Sequence, residues 1–136
     1  MNWKLLIQLS VFGLIMAFAT VFLIPEKFEP FFWLAIFLFS AYVIAKVCTG
    51  KYFLQGFVVS LFNCVWITIA HILFYSTYIA NHPAVAKMAE EHPFLPKHPR
   101  LAMLITGPVF GIICGIILGI FCLIASKIVT KKVAVQ

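Results

Sequence analysis

Residues 101–126 read LAMLITGPVFGIICGIILGIFCLIAS, a run without a single charged side chain. About 20 apolar residues suffice to cross a hydrocarbon core of roughly 30 Å as a helix. The run is therefore long enough to span a bilayer. Hydrocarbon offers the backbone no hydrogen-bond partner but itself, so a helix is required unless strands close into a barrel. Barrel strands alternate polar and apolar residues, and this run does not.

Three further stretches have the same character: 5–24, 31–45 (reaching about 48 if Lys46 snorkels) and 52–80. Helices are accordingly expected at 4–24, 30–48, 52–80 and 99–127, with a polar connection at 81–98. The composition agrees. Apolar residues make up 64% of the 136 and charged residues 10%, against about 45–50% and about 25% in a soluble domain. A water-soluble globular domain and a disordered chain are both excluded. The fold class read from the sequence is all-α, an integral membrane bundle of four transmembrane helices in one domain.

The first span contains Ala17-Phe18-Ala19, which has the form of a leader-peptidase site. The apolar run continues past it through Ile24, so it is read as a retained span. Pro25 and Pro30 bracket a tight turn, and Lys46 to Lys51 with Gly50 form another. Short links of this kind are expected to make successive helices antiparallel neighbours.

Four spans place both termini on one side. Lys4, Lys46, Lys51, Lys127, Lys131 and Lys132 fall on that side, and Lys27, Lys87, Lys97 and Arg100 on the other. The lysine excess favours cytoplasmic termini in a cell (inner) membrane. The net charge of +6 resides in the connections and ends. It suits lipid headgroups rather than nucleic acid, which is not expected as a partner.

The most specific pattern is Gly107, Gly111, Gly115 and Gly119, spaced four apart on one helix face. Such a glycine zipper lets another helix approach closely. It is read either as a surface joining copies of the chain or other membrane subunits, or as an internal packing face. Ser10, Gly13, Ala17 and Thr20 form a weaker small face on the first helix. Pro108 is expected to bend the fourth helix.

A polar stripe on the third span comprises Ser60, Asn63, Thr68, His71 and Tyr75, continuing to Tyr78 and His82. Intramembrane polar groups usually face protein or water. The stripe is a candidate polar path for a small oligomeric transporter or channel, with His71 as a proton relay. The bland alternative puts His71 at the interface, bonded to water or a headgroup. Asn63, deeper, is expected to make a helix–helix hydrogen bond. Haem ligation requires a second intramembrane histidine, which only a dimer supplies.

The connection NHPAVAKMAEEHPFLPKHPR carries three His-Pro pairs. A short helix over 84–91 is expected, ending before Pro93. His82, His92 and His98 with Glu90 or Glu91 are candidate metal ligands, although their spacings of ten and six match no compact zinc motif. The loop is otherwise a rigid cap or a docking surface for a partner outside the membrane.

Enzyme signatures are lacking. No Asp occurs, all four glutamates lie in connections, and the four cysteines form no CxxC pair. The absence of a membrane-buried carboxylate argues against the small four-helix multidrug exporters. Cys48, Cys64, Cys114 and Cys122 read as small apolar fillers. No cofactor is expected. The function read from the sequence is that of a small non-enzymatic integral membrane protein acting by helix association, as a homo-oligomer or as an accessory subunit. The alternatives are the transporter just described and, more remotely, a haem- or metal-binding redox protein.

Overall fold

A computed structural model describes residues 1–92 and 94–129. Lys131 and Lys132, counted above for orientation, lie outside the described residues. Those described form six helices: α1 (Trp3–Phe22), α2 (Glu29–Val47), α3 (Tyr52–Leu73), α4 (Tyr75–Asn81), α5 (Pro83–Glu91) and α6 (Pro99–Ile128). Among them α1, α2, α3 and α6 are long and apolar enough to cross a membrane. The protein is an all-α, multi-pass membrane bundle.

Local chemistry accounts for the helix ends. The Asn2 side-chain oxygen accepts from the Leu5 amide at 3.2 Å and caps α1. Pro30 sits in the first turn of α2, where its missing N–H leaves no bond unmade. Glu29 and Lys46 occupy the first and last turns of α2, each favourable to the helix dipole. The turn into α3 places Lys51 in the left-handed region at φ 52°. Gln55 holds that turn, donating to the Gly50 carbonyl at 2.6 Å and accepting from Cys48 Sγ at 2.9 Å.

Helix α3 is the hub. Its contact with α6 is the most extensive in the bundle, and α1 lies along another face. The pairs Phe53–Gly119, Phe57–Gly115, Cys64–Gly111 and Thr68–Gly107 show α3 and α6 antiparallel. The pairs Gly13–Asn63 and Thr20–His71 show α1 and α3 parallel. Helix α2 packs chiefly on α6. Successive helices α1 and α2 therefore meet only briefly, contrary to the expectation from their short link. The reason is steric: the small face of α1, with Ser10, Gly13, Ala17 and Thr20 all buried, is drawn into close contact with α3.

The dry core gathers Leu6, Leu9, Phe37, Ala41, Ile44, Cys48, Val59, Leu118 and Cys122 from all four long helices. Outward-facing Phe, Ile and Leu side chains cover the bundle, as hydrocarbon contact requires.

The run 52–80, read as one span, is divided at Phe74, whose φ of −106° and ψ of 33° leave the helical region. Backbone bonds continue across the break, from Phe74 N to Ala70 O and from Tyr78 N to Phe74 O, both 2.9 Å. The chain thus bends without ending its helix. Phe74 packs against Phe18 and Phe22 of α1, with ring centroids 6.0 and 5.1 Å away. This tertiary contact has no Pro or Gly signature in the sequence. Pro108, by contrast, is accommodated inside an unbroken α6.

Candidate functional site

The end of the bundle opposite the termini holds a connected polar cluster. The bend at Phe74 brings α4 over the top of α1, and Asn81 Nδ2 donates to the Val21 carbonyl at 2.6 Å. His82 follows, with 0% of its surface exposed. Its Nδ1 lies 2.9 Å from the Tyr78 carbonyl oxygen, and its Nε2 lies 3.3 Å from Glu29 Oε2. Glu26 completes the join by accepting from the Ala84 amide at 3.3 Å. Three polar contacts thus fasten the α4–α5 segment across the α1–α2 turn.

The hydrogen-bond inventory constrains the protons. A carbonyl oxygen only accepts, so Nδ1 must donate to Tyr78. A carboxylate also only accepts, so either Nε2 donates as well or the Glu29 carboxyl holds the proton. In both arrangements a hydrogen lies between Nε2 and Oε2 and bonds the two side chains. Without that proton, a bare lone pair would face a buried carboxylate edge, an unfavourable contact.

Three rings continue the cluster inward. Tyr78 stacks on His82 at 4.2 Å and on His71 at 3.8 Å between centroids. Burial, then the negative charges of Glu29 and Glu26, push the Tyr78 phenol above its ordinary value. His71 Nε2 lies 3.2 Å from Thr20 Oγ1. The Thr20 hydroxyl donates its only hydrogen to the Ala17 carbonyl at 3.1 Å. It therefore accepts from His71, which fixes the proton on Nε2.

The residues of the polar stripe divide between two seams. Ser60 donates to the Gly111 carbonyl at 3.3 Å, and Thr68 lies against Gly107, both in the α3–α6 seam. Asn63 and His71 face α1. Tyr75 lies under the Arg100 guanidinium at 6.0 Å. The five do not line one passage. Asn63 corrects an expectation, because its amide makes no hydrogen bond among the described residues. It is 3% exposed and lies where a side chain at Gly13 would stand.

Neither family models, nor curated proteins, nor solved structures match this chain.

The four glycines of α6 all face α3 of the same chain. A Cβ at Gly115 would lie 2.7 Å from the Phe57 ring, and one at Gly119 would lie 2.6 Å from Phe53. The face is filled from within, as Cys64 Sγ donating to the Gly107 carbonyl at 2.9 Å also shows. The histidines of the loop are likewise separated. His82 is buried against Glu29, whereas His92, His98, Glu90 and Glu91 are exposed. Among the described residues no three His, Cys, Asp or Glu side chains converge as a metal site.

Sequence reasoning missed Glu29, Thr20 and Gly13 as partners of this cluster. Glu29 carries no pattern of its own beyond standing at the mouth of α2. Its pairing with a residue 53 positions away is set by the bundle.

Proposed function

We propose that this chain is a small non-enzymatic protein of the cell membrane, with cytoplasmic termini, that acts through helix association, as a homo-oligomer or an accessory subunit, with a buried latch at the opposite end. The observation that carries the reading is His82, fully buried with oxygen acceptors at both ring nitrogens. A buried imidazole is uncommon unless its ring nitrogens are bonded, and here both are. The His82–Glu29 pair holds α4 and α5 onto the α1–α2 turn.

Assembly with a second copy or with other membrane subunits belongs to this proposal. The glycine face is not its surface, because α3 covers it. Helix α5, which has no buried residue, is the surface offered to a partner.

Hydrogen–deuterium exchange of segment 75–92 in lipid nanodiscs, compared between the parent protein and Glu29→Ala, tests the latch. Protection should fall in Glu29→Ala. Protection unchanged by that substitution would sink the reading. A reporter fused to the C-terminus and active only outside the cell would overturn the topology.

A further inference from the structure

We propose that the seam between α1 and α3 contains a water-binding site at mid-span, with Asn63 as the floor of a blind polar inlet opening beneath the latch. Asn63 is 11 residues from the start of α3 at Tyr52 and 10 from its end at Leu73. At 1.5 Å per residue it lies about 15 Å from either end, near the middle of the membrane. Its amide is 3% exposed, and neither the oxygen nor the nitrogen has a partner among the described residues. An amide so placed loses about 1–3 kcal/mol or more relative to a bonded one. The side chain points into the small-residue face of α1, at Gly13.

The two seams of α3 differ in how they are closed. The α6 seam is packed through four glycines and closed by the Ser60 and Cys64 bonds to backbone carbonyls. The α1 seam is bridged by polar contacts between side chains, from His71 to Thr20 at 3.2 Å and from Trp66 Nε1 to Ser10 Oγ at 3.5 Å. The second is at the outer limit of a hydrogen bond.

Polar groups mark the way in from the latch end, and past Asn63 the buried polar side chains Ser10 and Gln55 stand among apolar ones. Glu29, His82, Tyr78, His71 and Thr20 lead from the latch towards Asn63. On the far side, Leu6, Leu9, Ile44, Val59 and Leu118, each 0–4% exposed, form an apolar plug. The inlet ends there, which distinguishes it from a through-path. The amide presents two donors and two acceptor lone pairs. Water both donates and accepts, and buried waters typically make about three such bonds. The inference rests on the latch only for the side of entry.

The test uses the full chain labelled with ¹⁵N-asparagine in lipid bilayers at one pH, read by solid-state NMR with magnetisation transfer from water. The chain has three asparagines, Asn2, Asn63 and Asn81. Loss of a signal in Asn63→Leu, or in Asn63→Gln should the leucine variant fail to insert, assigns the site. The expected result is transfer from water to the Asn63 amide, and its disappearance in D₂O. An Asn63 amide that receives no transfer and stays protonated in D₂O, while Asn2 exchanges, overturns the inlet. The latch is tested separately by exchange at 75–92, so either idea can fail alone.

Discussion

His82 and Glu29, 53 positions apart in the chain, meet at 3.3 Å and tie the α4–α5 segment to the mouth of α2. The imidazole is wholly buried, and the carboxylate keeps one edge in contact with the surroundings. Removing either partner leaves the other without a bond it needs. Glu29→Ala should lower stability by about 1–3 kcal/mol, the usual penalty for orphaning a buried polar group. Glu90→Ala and Glu91→Ala, on the exposed face of α5, should change it by no more than about 0.5 kcal/mol. Thermal unfolding of the three variants in one detergent provides the comparison.

Tyr78 gives a pH signature of its own. Its phenol is held above the ordinary value of about 10 by burial first, and then by Glu29 and Glu26. The folded state thus keeps the proton more tightly than the unfolded state. The neutral phenol's contribution is complete below about pH 10 and is lost as pH climbs past that point. Melting temperature measured between pH 9 and about 11 should decline, and Tyr78→Phe should flatten that slope while keeping the stacked ring.

The α6 glycines offer a contrast of positions. A Cβ at Gly111 would lie 2.7 Å from Cys64, whereas nothing lies within 4 Å of one at Gly50. Gly111→Ala should therefore destabilise the chain by about 1–3 kcal/mol through overpacking. Gly50→Ala should leave it nearly unchanged. If the face instead joined separate chains, Gly111→Ala would alter oligomer mass by native mass spectrometry while leaving the melting temperature of the single chain intact.

The histidines of the loop should behave unequally. His92 and His98 are exposed, so His92→Ala and His98→Ala should leave melting unchanged, while His82→Ala lowers it. Equilibrium dialysis against zinc should find less than one ion bound per chain, and a chelator should not shift the melting temperature. Stoichiometric zinc retained by the parent protein and lost in His92→Ala would contradict this arrangement.

Much of the architecture was legible from residue chemistry alone. The apolar runs required membrane-spanning helices because backbone groups in hydrocarbon must bond to one another. Pro25, Pro30 and Gly50 marked the turns, and the four glycines identified a close helix contact. Periodicity identifies a face, but not what lies against it. Whether Gly111 meets a second chain or Cys64 of its own depends on the order of helices around the bundle. In that order α1 and α6 pack on separate faces of α3 through their small residues, and α1 meets α2 only briefly despite their short link. In the same way the sequence showed that His71, His82 and Asn63 were unusual residues for their surroundings. Only the tertiary structure decided their partners, through a bend at Phe74 that rests on aromatic contacts with α1. Composition and spacing act locally along the chain, whereas the contact between His82 and Glu29 joins two segments that the packing of distant helices brings together.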